Sequence, residues 1–400
     1  MRGRKGIFMN RRNLARAAAI LLALAVTLLS LTACSEEFLS DFLGELINEL
    51  ASSGHTDAQT VTGGEKQTGN APSKTIVKET KPSAAFPLVS VPAIPDYKMP
   101  AENFADELEK EAAGIIDGAI EKATAYVSVM KDDRHSTVSY PYEKDAGGEI
   151  AALSANQKKI YDLVTDAGRN WGTFKFTKNE FGEKYLEDAL TVSTPMMIYD
   201  PDLVSYFDMN FLTYGSVTET YFDPYKDANY RVSNGKADMN AVKHDAELMY
   251  RVIKRIVRKM PEGLSTYDKY YYLAAVLSEQ ITYESAEKNS FTAFGALVCG
   301  KSVCEGYSGA YVLLCREANL WCAERHGIPG GEGHVWNVVK LDSGIYHVDV
   351  TWCDAAEPYR PRWYKYFMKS EEVFAKDHGL REGIVATGAF EPTPYESSEN

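Results

Sequence analysis

The chain has 400 residues, of which 45% are hydrophobic and 12% aromatic, so it can bury a sizeable core. Its formal net charge is −13, and no basic, aromatic-interleaved stretch offsets it, which argues against nucleic acid or anionic lipid heads as partners. Neither a glycine-rich phosphate loop nor a carboxylate pair of glycosidase spacing stands out; Gly327-Ile-Pro-Gly-Gly331 reads as a turn.

The N-terminus is a targeting segment. MRGRKGIFMNRRNLAR is basic, and AAAILLALAVTLLSL is apolar but shorter than the roughly 20 residues that a membrane span needs. Residues 1–33 are therefore expected to be a signal peptide. Its end, Leu31-Thr32-Ala33-Cys34, resembles the lipobox of bacterial lipoproteins. That resemblance implies cleavage before Cys34, lipidation of its sulfur, export, and anchoring to the outer face of the bacterial cell membrane. More than one acyl chain makes such anchoring stable. Loss of Arg2, Arg4, Lys5, Arg11, Arg12 and Arg16 with this segment takes the net charge from −13 to −19.

Residues 34–98 read as a lipid-anchored disordered tether. EEFLSDFLGELINEL has helical spacing, but residues 51–98 are rich in Gly, Ser, Thr, Pro and Lys. An accessory region, mainly helical with short strands, is expected over 99–260. Helical periodicity covers 101–130 and 239–260, and Ser154-Ala-Asn-Gln157 is a capping box ahead of KKIYDLVTDAG. The aromatic, β-branched residues 171–235, punctuated by Pro195, Pro201 and Asn234-Gly235, suggest short strands and turns. Residues 261–385 form the expected core, and 386–400 a flexible tail. A helix over 265–280 comes first, then SVCEGYSGAYVLLC, then two alternating runs, HVWNVVKL (334–341) and IYHVDVTW (345–352). Helices followed by a hairpin define an α+β domain.

The chemistry gathers on this core. A helix starting just after Cys304 puts that thiol where free N–H groups and the dipole favour a thiolate, and where the same groups can hold an oxyanion. Tyr307, Ala310, Tyr311, Leu314 and Ala318 form its apolar stripe. Gly306, Ser308 and Gly309 allow close approach of other backbone. A four-residue loop, 341–344, pairs His334 with Thr351 and Trp336 with Asp349 and makes His334 and Asp349 diagonal neighbours on one face, whereas a three-residue loop with no bulge puts them on opposite faces and removes the dyad. His334 is then the candidate base, Asp349 its orienting carboxylate and Cys304 a free, partly exposed nucleophile.

Gly300-Lys-Ser-Val-Cys304-Glu-Gly-Tyr-Ser, Gly333-His334-Val-Trp-Asn337 and His347-Val-Asp349-Val-Thr351-Trp352 resemble the three motifs of the bacterial transglutaminase-like superfamily. Their order, the gaps of roughly 30 and 15 residues, and the aromatics after His and Asp all fit. The resemblance spans about residues 262–355 and implies a papain-like fold, with a nucleophile helix packed on an antiparallel sheet that carries His and Asp. It implies a thiol acyl-transfer activity with no cofactor, acting on a peptide or protein substrate in the cell envelope. Val303 stands where calcium-dependent animal transglutaminases have a Gln, so cross-linking is not implied. The expected function is peptide or amide hydrolysis. The alternatives are a cross-linking transglutaminase and an inactive binding or scaffolding lipoprotein.

Cys299, Cys315, Cys322 and Cys353 have no pairing that spacing reveals, and Cys315 reads as a buried residue. Cys322-x3-His326 with His347 or Cys353 is too loose for a zinc site, so no metal is expected. Arg325, His326 and Glu332 crowd the approach to His334, and Tyr283 reads as packing rather than as an oxyanion donor.

Overall fold

The computed structural model describes residues 104–129, 136–172, 174–206, 219–222, 230, 238–287, 289–354 and 364–388. The segments expected to be a signal peptide and a tether, with Cys34, lie outside them. Among the described residues, no helix is long and apolar enough to cross a membrane.

Ten helical segments and eight strands carry the argument. They are α1 (Phe104–Val129), α2 (Ala155–Arg169), β1 (Phe174–Thr177), α3 (Lys178–Phe181), α4 (Tyr185–Tyr199), α5 (Pro201–Val204), β2 (Glu219–Phe222) and α6 (Met239–Arg258). After these come α7 (Thr266–Gln280), β3 (Thr282–Tyr283), β4 (Lys301–Ser302), α8 (Cys304–Glu317), β5 (Cys322–Gly327), β6 (His334–Leu341), β7 (Gly344–Val348), α9 (Val350–Asp354), β8 (Phe367–Lys369) and α10 (Glu371–Phe374). The sheet order is β5-β6-β7-β8, with antiparallel neighbours throughout. This is the expected α+β architecture, with the helix that starts at Cys304 on an antiparallel sheet.

Local signals explain most starts. The Ser154–Gln157 capping box is present in full. Ser265 caps α7 by accepting the Asp268 N–H. Asp238 does the same for α6, taking the N–H groups of Asn240 and Ala241. Each cap satisfies donors that the first helical turn leaves without partners.

Residues 185–199 depart from the expectation of strands and turns: they form α4, with Pro195 inside. Proline removes one intrahelical hydrogen bond, but Ala189, Val192, Met196 and Tyr199 recur at helical spacing and bury against Ile160, Tyr161 and Val164 of α2. Tertiary packing outweighs the local break.

The main core joins α1 and α6 to α7, α8 and one face of the sheet, through residues such as Ile116, Ile256, Tyr272, Leu314, Val339 and Tyr346. The single apolar stripe expected for α8 is too narrow. Every residue from Cys304 to Cys315 except Glu305 is buried, because helices cover one side of α8 and the sheet the other. The sheet's opposite face carries Ala323 and Val338, covered by Tyr140, Ala146 and Ile384. Ala386 and Gly388, placed in the tail by sequence, are held to this layer: the Ala386 N–H donates to Glu371 and the Gly388 N–H to the Ile345 carbonyl.

The helix pair α4–α5 is fixed to α8 by a buried ionic cluster. Asp202 is buried and meets Arg169 of α2 and Arg316 of α8. Asp200 accepts from Lys144, Arg169 and Tyr161. Burial alone raises the Asp202 pKa, but the two guanidinium groups outweigh it and hold it near 2. A depressed carboxylate contributes stability above its unfolded value, about 3.9, and loses it as pH falls toward the folded value. Asp202→Ala is expected to lower stability by about 3 kcal/mol near neutral pH, because it strands the Arg316 guanidinium and leaves Arg169 with Asp200 alone. Denaturant unfolding at several pH values checks this, and the gap to wild type should shrink as pH approaches about 2.

Candidate active site

Cys304 is the first residue of α8, and Val303 before it provides no side-chain cap. The first-turn N–H groups there are therefore not taken by a capping side chain. The chain is pressed tightly around this point. A Cβ on Gly306 would lie 2.6 Å from the Thr292 carbonyl oxygen, and one on Gly309 3.0 Å from Pro201. Glycine is needed at 306 so that the helix can lie against that backbone.

His334 opens β6, opposite Gly327 of β5. The β6–β7 register pairs Leu341 with Gly344 and Asn337 with Val348, through a tight turn at 342–343. Extended by one step, that register sets Trp336 opposite Asp349, the outcome expected of a four-residue loop, although the loop here has two residues because Leu341 and Gly344 themselves pair. The strand itself ends earlier than expected, at Val348, and residues 350–354 turn into α9. Asp349 causes the change. Its Oδ1 accepts the Trp352 N–H at 3.0 Å, and its carbonyl accepts the Cys353 N–H, so it acts as an N-cap.

The three side chains meet. The His334 Nε2–H donates to Asp349 Oδ2 at 2.7 Å, and the Cys304 side chain lies beside the imidazole, close enough to raise its pKa. With Nε2 committed to Asp349, Nδ1 is the nitrogen left for sulfur. Burial pushes the His334 pKa down, but Asp349 and Cys304 outweigh it and raise it to about 10. Burial likewise opposes ionisation of Asp349, yet the two histidines hold it well below the ordinary carboxylate range. Trp336 and Trp352 stack on the His334 ring, with centroids 5.7 and 5.2 Å away.

Cys304 is 5% exposed, buried rather than partly exposed as expected, because its helix start is sunk between the backbone at 290–292 and the sheet end. Among the described residues no disulfide joins Cys299, Cys304, Cys315, Cys322 or Cys353. Tyr283 is 51% exposed beside β4, so it does not pack in the core. Arg325 does not crowd the approach either. It is buried on the far face of the sheet, paired with Glu371 and the Arg381 carbonyl.

Several contributors were not legible in sequence. The Asn337 amide donates to the Ser308 hydroxyl at 3.0 Å, and that hydroxyl donates to Glu324 at 2.9 Å, which locks α8 to β5 and β6. The Trp336 Nε1–H donates to His347 Nδ1, and His347 Nε2 meets Glu371. His347 thus serves the packing of the sheet's far face, and burial holds its pKa low. His378, from the C-terminal segment, lies 3.1 Å from Asp349 Oδ2 through its Nε2.

A small cleft beside the helix start is lined by Glu305, Glu324, His326 and Val335 of the core and by Thr194, Met197 and Ile198 of α4. The region before the core therefore contributes a wall to it. Burial lifts the Glu324 carboxyl well above its ordinary range and lowers His326 to about 4. Among the described residues, His334, Asp349 and His378 bring ligand atoms within 4.8 Å of one another. Their shared hydrogen bonds to one carboxylate oxygen account for that approach. Cys322, His326, His347 and Cys353 do not assemble as a metal set among the described residues.

A helix that carries a buried cysteine at its uncapped N-terminus, packed on an antiparallel sheet that supplies a carboxylate-bound imidazole, defines the papain-like α+β class. Residues 254–351 match the family model of the transglutaminase-like superfamily, and this segment is a domain of that superfamily. The superfamily typically includes cysteine-dependent enzymes. Comparison with curated proteins finds no match to the chain.

An elevated His334 pKa means that its contribution to stability is full below the unfolded value, about 6.5, and is lost as pH rises through about 10. Side-chain NMR of His334 should show no deprotonation up to about pH 9 in the wild type. In Asp349→Asn the loss of the carboxylate leaves burial dominant, and the ring should titrate below about 6.5. Titration of the wild-type ring near pH 6.5 contradicts the ion pair.

Proposed function

We propose that this protein is a bacterial cell-envelope lipoprotein whose core hydrolyses peptide or amide bonds by thiol acyl transfer. The observation that carries the reading is the His334–Asp349 hydrogen bond set beside a cysteine at an uncapped helix start. The family match over 254–351 supports it. Resemblance of Leu31–Cys34 to a lipobox supports the anchor, and the composition of 34–98 supports a tether that gives the domain reach to envelope peptides or proteins.

In this reading the Cys304 sulfur attacks the carbonyl carbon of the substrate amide, and negative charge moves onto the carbonyl oxygen. N–H groups in the first turn of α8 receive that charge, helped by the helix dipole. The C–N bond breaks as the His334 imidazolium gives its proton to the leaving amine. Neutral His334 then takes a proton from water, whose oxygen displaces sulfur from the thioester. The acid is released, and the thiolate–imidazolium pair returns. Asp349 keeps Nε2–H of His334 fixed and does not take the proton.

Cys304 and His334 are nearly covered, and a covered thioester also suits an amine in place of water. Transfer to an amine, as in cross-linking, is therefore the second reading. Mass spectrometry of envelope peptides treated with and without a primary amine separates the two by the product formed.

Iodoacetamide labelling with peptide mapping tests the core of the proposal. Near pH 6 an ordinary thiol is almost wholly protonated. Wild-type Cys304 should nevertheless label readily there, and His334→Ala should slow it by about 100-fold. Equal, slow labelling in both proteins would leave an inactive binding lipoprotein as the better reading.

A further inference from the structure

Beyond the family-matched segment the chain supplies one more group to the site. His378 is fully buried, and each of its ring nitrogens faces a carboxylate: Nε2 lies 3.1 Å from Asp349 Oδ2, and Nδ1 2.6 Å from Asp377 Oδ1. Asp349 is therefore gripped by three donors, His334 and His378 on Oδ2 and the Trp352 N–H on Oδ1. The first two fix the direction in which Oδ2 points, and that direction sets the plane of the His334 ring.

The position of His378 is itself rigid. Its N–H donates to the Phe374 carbonyl of α10, and Phe374 stacks on its ring with centroids 3.8 Å apart. Trp352 and Trp336 close two further sides, at 4.2 and 4.9 Å. The backbone beyond it is tied to the end of β5, through Ile328 N–H to the Gly379 carbonyl and Arg381 N–H to the His326 carbonyl. A Cβ on Gly327 would lie 2.1 Å from the His378 carbonyl oxygen, so the two segments meet without room for a side chain.

We propose that His378 is a positioning residue of the site, which holds Asp349 in the orientation that aligns His334 with Cys304 and makes the C-terminal segment part of the functional unit. Hydrogen-bonded carboxylates and imidazoles then run without a break from His334 to Asp377, which is partly exposed. The reading rests on the Cys304–His334 mechanism. A ring that only filled space would tolerate Phe and suffer from Gln. A ring that orients Asp349 requires a donor, so Gln should serve where Phe fails.

The test compares His378→Gln and His378→Phe in the full chain, after thermal unfolding has shown both to be folded. Labelling of Cys304 by iodoacetamide near pH 6 should stay within about threefold of wild type in His378→Gln and fall at least ~tenfold in His378→Phe. The low-field proton of the His334–Asp349 bond, followed by NMR, should persist in the Gln variant and shift or exchange away in the Phe variant. Wild-type-like labelling and an unmoved proton in His378→Phe would overturn the proposal. A wild-type Cys304 inert near pH 6 would instead remove the catalytic reading, and the NMR comparison would still decide whether His378 orients the pair.

Discussion

A carboxylate with no access to water has to be surrounded by donors, and the site is built around meeting that demand for Asp349. One oxygen takes the backbone N–H that starts α9; the other takes two imidazole nitrogens. Three separate stretches of chain must converge for this to happen: the start of β6, the end of β7, and the segment after α10. Without convergence, Asp349 would be a buried, uncompensated charge, which costs several kcal/mol. The same convergence turns His334 toward Cys304 and keeps it protonated over the neutral range.

The other half of the site depends on close approach. Gly306 lets α8 lie against the carbonyls at 290–292, and Gly309 lets Pro201 of the preceding region touch the helix. Asp202, one residue along, binds Arg316 at the C-terminal end of the same helix. The helix that starts at Cys304 thus meets the region before the core at its middle, through Gly309, and at its C-terminal end, through Arg316. These contacts also bring α4 to the cleft beside Cys304, where Thr194, Met197 and Ile198 form a wall.

Buried polar side chains hold the sheet to the helix on one face and to the C-terminal segment on the other. On the helix side, Asn337, Ser308 and Glu324 bond in sequence. On the far side, Trp336, His347 and Glu371 do the same, and Glu371 adds Arg325 and the Ala386 N–H. Each set satisfies groups that would be costly to leave unpaired, and each fixes a register that apolar packing alone would leave looser.

The sequence by itself determined much of this. The alternation of HVWNVVKL and IYHVDV, with Asp342-Ser343 between, specified a register that sets Trp336 opposite Asp349, because side chains in strands alternate with a period of two. The Ser154 box and Ser265 marked helix starts, since capping is local chemistry. The motifs around Cys304, His334 and Asp349 pointed to an α+β core of the transglutaminase-like superfamily. Only the tertiary structure decided the rest. Pro195 sits inside α4 because packing on α2 outweighs one lost hydrogen bond, and no local pattern reports that balance. Asp349 ends its strand because Trp352 bonds back to it. His378, in a stretch with no periodicity of its own, reaches Asp349 only because backbone bonds to β5 carry it there, and contacts so distant in the chain leave no spacing to read.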